Sequence, residues 1–146
     1  MYQIPIYKVM LVRDASIKVE DRPVILSGAE AYAILKDWFL DHDRDEFVIL
    51  MLNNKNRVIG INSVSVGNLS ASLVHPREVF KPLILHNAAA VILAHNHPSG
   101  DPAPSVQDRQ ITTRLKEIGE VMGIRVLDHI VVGEGRYYSF LDQGDL

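Results

Sequence analysis

Two histidines and an aspartate stand close together in Ala94-His-Asn-His-Pro-Ser-Gly-Asp-Pro-Ala-Pro-Ser-Val-Gln-Asp108. His95 and His97 are two apart at the end of an apolar run, and in an extended chain residues i and i+2 point the same way. Both imidazoles can therefore face one point. A proline-rich loop then leads to a helix start whose first turn carries Asp108. Two imidazoles and one carboxylate leave the fourth corner of a tetrahedron for water, which is the arrangement of catalytic zinc. Water held there has its pKa lowered to about 7. Each part has a plainer reading alone: His-x-His can be a surface pair, Ser105-x-x-Asp108 a helix capping box, and Pro98-Ser-Gly-Asp-Pro a turn. Their combination at the end of one hydrophobic strand favours a site.

Several elements must position these residues. The pattern near 6–13 (Ile-Tyr-Lys-Val-Met-Leu-Val-Arg) predicts a first strand. Ser27 with Glu30 forms a capping box that opens a helix whose apolar face carries Ala31, Ile34, Leu35 and Trp38. Phe47 to Leu52 is a continuous apolar run, as in a strand covered on both faces. Asn53-Asn-Lys-Asn is turn chemistry, so Arg57 to Val66 is expected to return as its antiparallel partner. After Gly67-Asn-Leu-Ser, the segment His75-Pro-Arg-Glu opens a second helix, which Pro82 is expected to kink. Ala89 to Ala94 reads as a second buried strand. Ser105 begins a third helix, with Ile111, Leu115, Ile118 and Met122 on one face and Gly123 at its C-terminal cap. Ile124 to Val132 and Tyr137 to Phe140 complete the strands. This alternation predicts an α/β sandwich with a mixed, twisted sheet and helices on both faces.

A chain of 146 residues, 47% hydrophobic and 23% charged, fits one globular domain with a sizeable core. The formal net charge is −3 and the basic residues are scattered, whereas nucleic-acid binding draws on a basic stripe. Cysteine is absent, which removes disulfides, thiolate nucleophiles and Cys-based zinc sites, and leaves His, Asp and Glu to hold any metal. The longest wholly apolar run, Ala88 to Ala94, is too short to span a bilayer. The N-terminus lacks a signal-peptide layout, so a cytoplasmic location is expected, with no membrane partner. There is no internal repeat or low-complexity tract.

The spacing His95-x-His97, seven residues, Ser105, two residues, Asp108 resembles the JAMM motif of MPN-type zinc metallopeptidases. The fuller string His-Asn-His-Pro-Ser-Gly-Asp-Pro is similar to the RadC branch. So are Asn56-Arg-Val-Ile-Gly, Ser72-Leu-Val-His-Pro-Arg-Glu-Val-Phe and Leu127-Asp-His. The resemblance divides the chain into an N-terminal strand and lead-in over 1–27 and a RadC-like JAMM/MPN domain over 28–146. It implies a cytidine-deaminase-like three-layer α/β fold and a zinc ion on His95, His97 and Asp108. It also implies a Ser105 hydroxyl that helps stabilise an oxyanion, and an acidic residue from an upstream strand that moves the water's proton. Asp45 and Glu46 both stand just before Phe47. Adjacent strand residues point to opposite faces, so only one reaches the metal unless a bulge intervenes. Glu46 is preferred for its reach.

The leading expectation is a metallohydrolase that cleaves a peptide or isopeptide amide in a peptide or protein substrate. A deaminase would bring His-x-Glu and Pro-Cys-x-x-Cys segments, and a thermolysin-like peptidase His-Glu-x-x-His; this chain has none of these. One alternative is a nucleic-acid role, since RadC-like proteins are commonly labelled as DNA repair proteins. Longer RadC-like chains carry an upstream helix-hairpin-helix region, which this chain is expected to lack. A second alternative is a non-catalytic MPN-type scaffold. His75 reads as a hydrogen-bonding loop residue, His129 as packed against Asp128, and His42 and His86 as surface positions. Ser99 and Asn96 could shape the site, and Ser70 and Ser72 could border a substrate groove.

Overall fold

The computed structural model describes residues 1–19, 21–67 and 74–146. Ser70 and Ser72 lie outside the described residues. The element order is α1 (Gly28–Trp38), β1 (Glu46–Leu52), β2 (Val58–Val66), α2 (Pro76–Leu85), β3 (Ala90–Asn96), α3 (Val106–Met122), β4 (Arg125–Val132) and β5 (Tyr137–Ser139). The strands form one mixed sheet of order β2-β1-β3-β4-β5. Among the described residues only β3 and β4 run parallel, joined by α3 as the crossover; the other neighbours are antiparallel.

Every residue of β1 and β3 is buried, as unbroken apolar runs require of strands covered on both sides. Alternation divides them between two cores. Val48, Leu50, Leu52, Ala90, Ile92 and Ala94 pack against Ala31 and Leu35 of α1. Phe47, Ile49, Met51, Val91 and Leu93 pack against Val79, Phe80 and Leu83 of α2 and Ile111 and Leu115 of α3. The result is a three-layer α/β sandwich with helices on both faces, as the sequence pattern implies.

Local chemistry sets the element ends. The Glu30 carboxylate accepts the Ser27 backbone N–H at 3.0 Å, fixing the start of α1. α2 begins at Pro76 and continues through Pro82 to Leu85. Gly123 caps α3 at φ 70°, the left-handed conformation that glycine adopts without steric cost.

The strand expected over 6–13 is not formed: residues 1–19 carry no regular secondary structure. Ile6, Val9, Met10 and Val12 are exposed. A strand needs a backbone partner as well as a suitable side-chain pattern, and the described residues offer that stretch none. Attachment to the domain begins at Arg22–Ile25. There Val58 N–H donates to Pro23 C=O at 3.0 Å and Ile25 N–H to Asn56 C=O at 2.8 Å. Among the described residues, no helix is long and apolar enough to cross a membrane.

Candidate metal centre

The odd-numbered row of β3 faces α3, so His95 continues the line of Val91 and Leu93 toward that helix. His97 follows one residue beyond the strand. Its backbone N–H donates to Val132 C=O at 2.8 Å, which keeps the exit aligned with β4. The loop then folds back on itself: Gly100 N–H donates to His97 C=O, and Ala103 N–H to the Asp101 carboxylate. Ser105 is the N-cap of α3. Its Oγ accepts Asp108 N–H at 3.0 Å, while Asp108 Oδ2 accepts Ser105 N–H at 2.7 Å. The capping box is therefore real, and it also holds the carboxylate that completes the site.

His95, His97 and Asp108 form a group whose ligand atoms all lie within 4.8 Å of one another. His95 Nε2 is 3.0 Å from His97 Nε2 and 2.9 Å from Asp108 Oδ1, and His97 Nε2 is 3.0 Å from Asp108 Oδ2. Tetrahedral zinc with bonds of about 2.0–2.1 Å needs ligand atoms roughly 3.3 Å apart, so small outward shifts would seat the ion. The His97 tautomer agrees with this. His97 Nδ1 lies 2.8 Å from Asp101 C=O. A carbonyl can only accept, so in the neutral ring the proton sits on Nδ1 and the Nε2 lone pair is bare. The triad can hold a metal ion.

The electrostatics fit a cation site that opens on one side. Burial alone would push the Asp108 carboxyl up, but hydrogen bonds from His95 and His97, the His95 charge and Ser105 N–H hold it well below the usual carboxylate range. Its hydrogen bond to Asp108 raises His97 above the ordinary value, against burial, with Asp101 C=O and the charges of Asp108 and Asp45 adding to the rise. The His95 side chain is 2% exposed and that of His97 19%, so the group opens toward the cleft at His97. That cleft is lined by Asp43, Arg44, Asp45, Gly67, Pro98 and Ser99 as well as His97.

The preference for Glu46 as the acid beside the metal is corrected by the sheet's alternation. Phe47 pairs with His95 and stacks on its ring, with centroids 6.1 Å apart, so odd-numbered residues of β1 face the metal side. Glu46 lies on the opposite face, 5% exposed. Its Oε1 accepts Trp38 Nε1–H at 2.9 Å and its Oε2 lies 3.3 Å from His42 Nε2, so it anchors α1 to the sheet. Asp45 lines the cleft with His97 and its charge acts on that ring. Asn96, between the two histidines, fixes this arrangement. Its Oδ1 accepts Glu46 N–H at 2.9 Å and its Nδ2 donates to Arg44 C=O at 3.0 Å, bracketing Asp45 from both sides.

His129 also departs from expectation. Asp128 accepts its backbone N–H, but the ring turns away from that neighbour. One extra residue of β4, at Leu127, interrupts the pairing with β3 between Val91 and Ile92, and this bulge turns His129 onto the α3 face. Its ring meets His95, Phe47, Phe140 and Thr112. Burial, with the His95 charge, lowers the His129 pKa well below the ordinary value and keeps the ring neutral. Asp128, whose carboxyl is raised by burial, accepts Ser139 Oγ–H at 2.6 Å and Leu141 N–H at 3.0 Å on the other side. His75 caps α2 and His86 ends it; neither joins the metal group. Sequence reasoning missed Thr112, though a threonine four residues after Asp108 and beside Ile111 on the inner face of α3 was a visible signal.

An α/β/α sandwich with a His-His-Asp triad between a buried strand end and a helix start defines a class of domain whose side chains can hold a metal ion. The chain belongs to the RadC-like JAB domain family, which it matches over residues 25–145. It is 54% identical over 125 residues to a UPF0758 protein of Rubrobacter xylanophilus, covering 86% of this chain and 55% of that one. It is also 54% identical over 120 residues to a UPF0758 protein of Syntrophotalea carbinolica, covering 82% and 53%. A UPF0758 protein of Geobacter sulfurreducens is 56% identical over 106 residues, covering 73% and 46%. The chain thus spans about half the length of the curated relatives it matches.

Proposed function

We propose that this domain is a zinc-dependent hydrolase that cleaves a peptide or isopeptide amide. The observation that carries the reading is the convergence of His95 Nε2, His97 Nε2 and the Asp108 carboxylate beside a cleft that also holds Asp45. When bound, zinc supplies Lewis-acid activation of water and of the substrate carbonyl. The chain's residues do the rest. His95, His97 and Asp108 would hold the ion; His95 and Asp108 are buried and exclude water, while the His97 side chain opens to the cleft. Asp45 takes the proton of the attacking water and delivers it to the leaving amine. Asn96 holds the Asp45 backbone in register with the histidines. The Ser105 hydroxyl, fixed at the start of α3, donates to the oxygen on which negative charge develops.

The cleft wall carries two carboxylates, Asp43 and Asp45, and one guanidinium, Arg44. That balance suits an amide-bearing chain better than a phosphate backbone. The His97 ring, with its Nδ1 facing the Asp101 carbonyl, leaves its Nε2 lone pair free for an ion, which a non-catalytic scaffold does not need.

Asp45→Asn is expected to retain zinc and lose turnover of peptide and isopeptide substrates by about 10²–10⁴-fold, the usual contribution of a general base. Glu46→Gln, on the other face, should keep most activity and lose stability instead. Side-by-side kinetics and zinc content test this. Full activity in Asp45→Asn, or collapse only in Glu46→Gln, would remove Asp45 from its role.

A further inference from the structure

We propose that His129 and Thr112 form a buried relay that fixes the His95 ring in its metal-binding tautomer and so positions that ligand. The proposal rests on the metal-site reading above. His95 Nε2 faces Asp108 and His97, while its Nδ1 lies 2.8 Å from His129 Nε2. A cation on His95 Nε2 requires the ring proton on Nδ1, aimed at His129. His129 Nε2 must then accept, which puts the His129 proton on Nδ1, 2.5 Å from Thr112 Oγ1. The hydroxyl accepts that proton's bond and turns its single hydrogen to Asp108 C=O at 2.7 Å. A carbonyl has no proton to pass on, so the chain ends there with every donor matched to one acceptor.

The opposite polarity shows what the relay guards against. If Thr112 donated to His129 Nδ1, the His129 proton would sit on Nε2 and point at His95 Nδ1. The His95 proton would then occupy Nε2, where the ion must bind. No solvent relieves this choice. His129 is 0% exposed and stacks on Phe140 at 4.9 Å, with Phe47 edge-on, and Thr112 is buried as well. The relay also closes on itself, because its final acceptor is the backbone of the residue that supplies the third ligand. Partners of this kind orient ligating imidazoles and raise metal affinity.

Thr112→Val keeps the side-chain shape and removes the hydroxyl; Thr112→Ser restores it. Zinc dissociation constants from chelator competition on the full chain are expected to weaken by about 10–100-fold in Thr112→Val and to stay within about three-fold of wild type in Thr112→Ser. In the zinc-loaded wild type, long-range ¹H–¹⁵N correlations should place the ring protons of His95 and His129 both on Nδ1. A Thr112→Val protein that binds zinc like the wild type, or a His129 ring protonated on Nε2, overturns the relay while the metal site stands. A wild-type protein that binds no zinc removes the metal site and the relay together.

Discussion

Asp45 and Glu46 carry the same charge, sit side by side, and do different work because a strand sends neighbours to opposite faces. One reaches the cleft, and the other ties Trp38 and His42 to the start of β1. Asn96 enforces the split by holding Arg44 C=O and Glu46 N–H. Asn96→Ala strands both groups near the interior and should cost about 1–3 kcal/mol, since a buried group without its partner bears the desolvation penalty. Zinc content should remain near wild type while turnover falls, because the ligands stay and Asp45 loses its frame. Urea unfolding with zinc analysis checks both parts, and loss of zinc with no loss of stability would contradict this account. At this scale the triad was legible, since its spacing is local and its residue types are scarce. The choice between two acids was not. It depends on which residue of β1 pairs with His95, and the chain shows that register only once folded.

At the scale of elements, α3 carries the third ligand at its first turn and must meet β4 closely at its last. Gly119 makes that approach possible: a Cβ there would collide with the Ile124 backbone oxygen, which leads directly into β4. Gly119→Ala should destabilise by about 1–3 kcal/mol, the usual cost of overpacking. Gly123→Ala, in open space but at φ 70°, should cost about 1–2 kcal/mol for its left-handed backbone alone. A thermal melt in which Gly119→Ala is as stable as wild type would show that the helix can shift away from that backbone. The helices and buried strands were readable because capping boxes, apolar runs and helical spacing are local signals. The bulge at Leu127 that turns His129 toward His95 was not, since a single extra residue in β4 is defined only against β3. The failed strand at 6–13 has a similar cause, because alternation describes a strand's faces and says nothing of what it pairs with.

For the whole molecule, the sheet separates two cores, and the candidate metal centre joins the end of the central strand β3 to the start of α3 on one side only. An ion held there adds a link between two elements that already share the Val91, Leu93, Ile111 and Leu115 core, so binding should be coupled to folding. The measurement that bears most directly on the account is metal analysis of the purified protein, with thermal unfolding with and without chelator, beside a His95→Ala/His97→Ala variant. The account predicts about one zinc per chain and, at a free zinc level about 1,000 times the dissociation constant, stabilisation of about 4 kcal/mol. Both should be absent from the variant. A wild-type protein that takes up no zinc on resupply, and melts alike with and without it, would contradict the metal centre and the hydrolase built on it.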